Sequence, residues 1–358
     1  MRRTLHIIMA LLPLCLLAMQ PLRAAEPPRL RVVVTTFPLY DWTRQILGRQ
    51  IDSVELIQLQ NSGVDLHNFQ PSAQDIARIA KCDLFVYVGG TSDAWTKAAL
   101  RAGANPRRVT LNLVKTLGKD VREEAHLEGM EHHHHHHGGK EVAHHHHDED
   151  EDEDEDEHHH HDEDEDEDEH HHEEDEIEQD EHVWLSLRFA ARLCQSIADR
   201  LAQLDAPHAA EYQANCRAFV TQLKDLDKRY AAAVSAAPLK TLLFADRFPF
   251  RYLMDDYGLT CFAAFSGCSA ETEASFKTIA FLSEKVRRLQ LPAVLVLEGS
   301  NRKIADTVVK TSGRRDVKIL TMDSLQAPPA KGATQRPRYL QAMENNLKTL
   351  RQALGLPE

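Results

Sequence analysis

The side chains in this chain that could do chemistry are gathered between His126 and His182, where the sequence is almost nothing but histidine, aspartate and glutamate. The histidines come in four runs: His132, His133, His134, His135, His136 and His137; His144, His145, His146 and His147; His158, His159, His160 and His161; and His170, His171 and His172. The acidic blocks Asp148 to Glu157 and Asp162 to Glu169 lie between them. Neutral imidazole is the commonest side-chain ligand for zinc, copper and nickel, so such runs offer many overlapping, labile sites for metal capture. The carboxylates raise the local cation concentration and accept protons. A purification tag also contains a histidine run, but tags sit at termini and are not repeated four times between acidic blocks.

A tract with almost no apolar side chains cannot offset the entropy of ordering its backbone, so residues 123–179 are expected to form a disordered loop. Glu123 to Glu181 holds thirty acids and one lysine, a charge near −29, against −14 for the whole chain, which leaves about +15 elsewhere. The acidity therefore belongs to the loop, and the body that carries it is mildly basic.

The N-terminus sets the compartment. Arg2 and Arg3, an apolar run from Ile7 to Met19 and the small-residue site Leu22-Arg23-Ala24 read as a secretory signal over residues 1–24, with the mature chain starting near Ala25. The run is short for a membrane span, an uncleaved anchor being the alternative. Cys15 follows Leu14 and not a small residue, which argues against a lipid-anchored start. A periplasmic protein is expected. Five cysteines remain, Cys82, Cys194, Cys216, Cys261 and Cys268, and an odd number in an oxidising compartment leaves at least one unpaired. Cys261 and Cys268, close in sequence, are the expected disulfide. Cys82, Cys194 and Cys216 read equally well as buried thiols acting as small hydrophobes.

The elements that must position any site follow from hydrophobic periodicity. Strands are expected at Leu30 to Thr36, Val54 to Leu59 and Leu84 to Val88, and helices at Leu39 to Leu47, from Ser72 through Ile79, and at Asp93 to Ala102. Two long helical stretches, Val183 to Leu204 and Ala209 to Ala233, contain no internal glycine or proline. The alternation then restarts, with strands at Thr241 to Phe244, Leu259 to Ala264, Ala293 to Leu297 and Val317 to Thr321, and helices at Phe250 to Tyr257, Glu273 to Leu289, Lys303 to Thr311 and Tyr339 to Leu354. Gln326 to Arg338, with three prolines, reads as a surface crossing. Strands alternating with helices mean βα units and parallel sheets. The expected fold class is α/β: two lobes, each with a mainly parallel sheet flanked by helices, joined by one long rigid helix. The lobes span 25–207, with the loop inside, and 237–358; residues 208–236 link them.

Five segments narrow the reading: VVTTFPLYD from Val33, GVDLHNFQPSAQDI from Gly63, DEHVWL from Asp180, Tyr257-Gly258-Leu259, and TMDS from Thr321. Together with the interposed histidine-rich loop they resemble the periplasmic zinc and manganese receptors of ABC importers, most of all the zinc-specific ones. The resemblance covers essentially the whole mature chain. It implies two α/β lobes on one long helix, a monomer that binds Zn2+ (or Mn2+) and hands the metal to an ABC importer membrane permease. It also implies that His67 and His182 are first-lobe ligands, with Phe69, Pro71 and Trp184 as apolar surroundings, and that Asp323 is the second-lobe carboxylate. Each histidine precedes a helix at the strand-end edge where open α/β sheets bind ligands.

The fourth ligand departs from the family pattern, which has a histidine where this chain reads Phe244-Ala245-Asp246-Arg247-Phe248-Pro249-Phe250. Asp246 is the substitute expected there, a helix N-cap being its other role. Glu298, ending PAVLVLE, could ligate or orient a ligand; Glu271 and Glu273 are weaker candidates. Two histidines with two carboxylates form a harder set that tolerates manganese better, whereas the loop favours zinc, copper or nickel. The expected function is an extracytoplasmic zinc receptor with a loop that captures metal. Manganese or nickel receptors of the same fold, a periplasmic zinc buffer without an importer, and an adhesin-like surface protein are the alternatives. No H-E-x-x-H helix, nucleophile elbow or phosphate-cradling glycine loop is present in the sequence, so an enzyme is not expected.

Overall fold

The computed structural model describes residues 29–60, 66–102, 105–130, 179–269, 273–326 and 338–357. The expected signal over 1–24, the four histidine runs, the proline-rich crossing at 327–337 and Glu271 lie outside them. The first lobe runs β1 (Leu30–Val34), α1 (Phe37–Leu47), β2 (Val54–Gln58), α2 (Ala73–Lys81), β3 (Leu84–Tyr87), α3 (Thr96–Arg101), β4 (Val109–Asn112) and α4 (Leu113–Leu117). Then come α5 (Leu187–Leu204) and α6 (Ala209–Ala236). The second lobe follows as β5 (Thr241–Phe248), α7 (Arg251–Tyr257), β6 (Thr260–Ser266), α8 (Phe276–Arg288), β7 (Ala293–Leu297), α9 (Lys303–Thr311), β8 (Lys318–Met322) and α10 (Tyr339–Ala353).

Both sheets are parallel and share one plan, β2-β1-β3-β4 and β6-β5-β7-β8. Helices cover both faces of a parallel sheet, which is why its strands are continuous apolar runs; all five residues of β7, AVLVL, are buried. α6 has 28 residues, about 42 Å at 1.5 Å per residue. It is tied to α1, where Asn215 donates to the Ile46 carbonyl at 3.0 Å, and to α10, where the Tyr230 hydroxyl donates to the Met343 carbonyl at 2.6 Å. One apolar core runs through both lobes, from Val32 and Trp42 past Leu223 to Phe244 and Leu347.

Differences from the expected elements have local causes. The helix expected from Val183 starts at Leu187, because Ser186 caps it by accepting from the Phe189 amide, leaving Val183–Leu185 as a 3-10 turn. β4 and α4 were not expected from sequence: four and five residues are too short to show a period. β5 runs on to Phe248 through a register shift between Phe244 and Arg247. The expected Cys261–Cys268 disulfide does not form, and both are free thiols. Cys261 is the second residue of β6 and Cys268 lies two residues beyond its end. At about 3.3 Å of rise per residue the strand holds their Cα atoms far beyond the roughly 7 Å that a disulfide spans.

Candidate metal centre

The first lobe brings two imidazoles edge to edge at the ends of its strands. His67 lies in a short 3-10 turn, Leu66–Asn68, pinned by buried Leu66 and Phe69 on either side. Ser72 and Asp75 close a reciprocal capping box just after it, which fixes where α2 begins. His182 is fully buried at the start of the Val183–Leu185 turn. Its backbone N–H and its ring Nδ1 both reach Asp180 Oδ1, at 2.9 and 2.8 Å. A carboxylate oxygen there accepts, so Nδ1 carries the hydrogen and Nε2 keeps its lone pair. On His67, Nδ1 meets Ser92 Oγ at 2.7 Å. The Ser92 hydroxyl donates to Nδ1 in one tautomer of His67 and accepts from it in the other. Glu181 Oε1 takes the Ser92 amide at 2.7 Å and so holds the Ser92 loop against His67. The two Nε2 atoms stand 3.3 Å apart.

The second lobe adds a thiol. Ligand atoms of His67, His182 and Cys268 all lie within 4.8 Å of one another. Gly267 lets the chain pass this closely: a Cβ there would stand 3.0 Å from His182 Cε1 and 2.9 Å from the Phe248 carbonyl. The Cys268 amide donates to Glu124 Oε1 at 2.7 Å. Glu124 belongs to the stem from which residues 131–178 depart. That stem is closed by an antiparallel bridge between Glu123 and Gln179 and by the Asp180 amide on the Arg122 carbonyl. Tyr252 of α7 ties it to the second lobe, accepting from the Arg122 amide and donating to the Asp180 carbonyl.

The surroundings are electronegative, and on the His182 side they are buried. Burial raises the Glu181 carboxyl above its ordinary range against the hydrogen bonds from Ser92. Burial pushes Asp93 up to about 7, the Gly89 amide opposing and the Glu181 charge reinforcing. Burial, then Glu124, Glu181 and Asp180, push the Cys268 thiol well up, so with no cation beside it the sulfur keeps its proton. Asp180 Oδ2 and Glu181 Oε2 are buried with no hydrogen-bond partner among the described residues. Carboxylates in such a place, behind two imidazoles, favour a cation at the Nε2 atoms.

The other residues singled out in the sequence are not members of that three-residue cluster. Both oxygens of Asp246 hold backbone amides, Arg247 at 2.9 Å and Leu297 at 3.1 Å. Asp323 directly follows β8, its Oδ1 accepting from the Leu325 amide and its own amide donating to Asn346. Glu298 takes the Ser324 amide and hydroxyl, both at 2.7 Å; burial and then the Asp323 charge push it up to about 7. Glu273 is exposed. Phe69 packs on Trp95, and Trp184 packs edge-on against the His182 ring while its Nε1 donates to the Ser324 carbonyl of the second lobe. Sequence reasoning missed Cys268 as a member of the site. Its signal was present, a Gly-Cys pair just past a strand end, but it was read as half of a disulfide.

Two parallel-sheet lobes on a shared long helix, with an imidazole pair at their strand ends, define the class of two-lobed metal-binding solute receptors. The family model described as zinc-uptake complex component A, periplasmic, ZnuA, matches residues 32–353, and the chain belongs to that family. It is 28% identical over 330 residues to the zinc-binding protein AdcA of Streptococcus pyogenes, covering 90% of this chain and 56% of that protein. It thus spans little more than half the length of such curated relatives. It is 28% identical over 327 residues to the high-affinity zinc uptake system protein ZnuA of Bacillus subtilis, covering 91% of this chain and 88% of that one. Among solved structures, the Zn(II)-bound ZnuA-like domain of Streptococcus pneumoniae AdcA superposes with a TM-score of 0.65 at 24% identity over 91% of this chain and 99% of that one. At that identity the likeness establishes the fold.

Proposed function

We propose that this protein is an extracytoplasmic zinc receptor that binds one ion tightly between its lobes and delivers it to the membrane permease of an ABC importer. The observation that carries this reading is the pair of Nε2 atoms 3.3 Å apart with both Nδ1 atoms engaged by oxygens. Two nitrogens held about 2.0–2.1 Å from one tetrahedral zinc ion stand about 3.3 Å apart, and ligating histidines typically give their other nitrogen to a carboxylate or hydroxyl. Without metal the pair is within reach of one N–H···N hydrogen bond, and a cation held by both Nε2 atoms takes the place of that proton.

In this reading His67 and His182 are the first-lobe ligands. Asp323 is the carboxylate of the second lobe, with Glu298 orienting the turn that follows it through Ser324. Asp246 serves the sheet. The histidine runs, rooted at the stem beside His182, capture metal at low affinity and raise its concentration at the mouth of the site. Nothing in the imidazole pair calls for catalysis; the metal is cargo. Imidazole donors favour zinc over manganese.

A competitive titration of the mature chain against a chromophoric chelator tests this. Expected is one tight zinc site, distinguishable from the weak loop sites, that disappears in His67→Ala and in His182→Ala and that manganese does not fill at comparable concentration. A tight site indifferent to both substitutions would sink the proposal.

A further inference from the structure

We infer that Cys268 is the third metal ligand, a thiolate supplied by the second lobe, so that the site is a His67, His182, Cys268 set bridging the cleft. The inference rests on the receptor reading and specifies its donor chemistry. Three features of the structure carry it. First, Cys268 Sγ lies within 4.8 Å of ligand atoms of both histidines, the one cluster of three or more metal-binding side chains so gathered among the described residues. Second, the position is held from both sides: Gly267 allows the chain to lie against the His182 ring, and Glu124 grips the Cys268 amide at 2.7 Å. Third, Cys261 is kept away at the far end of β6, and Cys268 remains a free thiol in an oxidising compartment.

On loading, the Sγ–H bond breaks, the proton leaves to solvent, and a metal–sulfur bond forms; no oxidant or reductant is involved. Zinc–thiolate bonds are about 2.3 Å long, so closing the cluster needs only a small inward shift of the 266–269 turn. A soft donor selects for zinc, and for cadmium or cobalt(II) as probes, against manganese, magnesium and calcium. It compensates for the missing second-lobe histidine. It also makes the stem of the histidine-rich segment a positioning element, because Glu124 orients the ligand turn.

Cobalt(II) substitution in the full mature chain tests this, with a metal-free, thiol-free reductant present. The loop contains no cysteine, so a sulfur-to-cobalt charge-transfer band in the near ultraviolet reports thiolate ligation without interference from the histidine runs. Expected is one equivalent of such a band, displaced by zinc and absent in both Cys268→Ser and His182→Ala, with zinc affinity in Cys268→Ser down by about a hundredfold or more. The native-chain spectrum and the His182→Ala control stand even if Cys268→Ser misfolds. Tight binding that needs His67 and His182 but gives no thiolate band, or a band that survives Cys268→Ser, would overturn the thiolate assignment and leave the receptor reading intact. Absence of any histidine-dependent tight binding would overturn both.

Discussion

The two lobes are built on one plan and equipped differently. Each is a four-stranded parallel sheet in the order second, first, third, fourth strand. After the second strand come His67 in one lobe and Cys268 in the other. After the third come buried Asp93 and half-buried Glu298, each a carboxyl pushed up to about 7, chiefly by desolvation. At the end of the fourth, Asn112 caps α4 in one lobe and Asp323 directly follows β8 in the other. Topology therefore decides which loops meet at the cleft, and the residue types written into those loops decide what they hold. The first lobe contributes nitrogen with a carboxylate behind it; the second contributes sulfur and a carboxylate pair.

That comparison can be broken most directly by removing the nitrogen side. His182→Ala, or His67→Ala, should abolish tight zinc binding in a chelator competition, because each removes one of the two nitrogen donors in the cluster. Asp180→Asn keeps an oxygen near His182 Nδ1 but removes the charge, and zinc affinity should fall about 10- to 100-fold, read by the same titration. An unchanged affinity would mean that the first lobe holds His182 by packing alone. Gly267→Ala tests the close approach of the lobes. Its Cβ meets the backbone at 2.9 Å, so thermal denaturation should show a loss of about 1–3 kcal/mol together with weaker zinc binding.

The smallest expected effect compares the matched carboxyls. Asp93 and Glu298 have ordinary values of 3.8 and 4.5 and are raised to about 7 when folded, so the folded state holds their protons more tightly than the unfolded chain does. The stability they contribute is present below about pH 4, declines as pH rises toward 7 and is gone above it. Asp93→Asn and Glu298→Gln should each flatten the fall in melting temperature of the metal-free protein between pH 4 and 8. A slope identical to the parent's in both variants would place the titration elsewhere.

Much of this was legible in the sequence because the signals were local. Alternating apolar runs gave both lobes, and the absence of glycine and proline from Ala209 to Ala233 gave the long helix. His67 and His182 stood out because the short motifs around them, DLHNFQPS and DEHVWL, resemble those of the metal receptors. What stayed hidden depends on distance in the chain. Ser92 reaches His67 from 25 positions away and Glu124 reaches Cys268 from 144. Cys268 was misread because nearness in sequence was taken for nearness in space, although the strand between Cys261 and Cys268 forces them apart. β4 was missed because a four-residue strand shows no period.

The long helix limits how far the two lobes can part. α6 is fastened to α1 at Asn215 and to α10 at Tyr230, so it acts as a strut pinned near both ends. A strut of this kind fixes the spacing of the two sheets as a gauge block fixes a gap, and thermal breathing cannot open it wide.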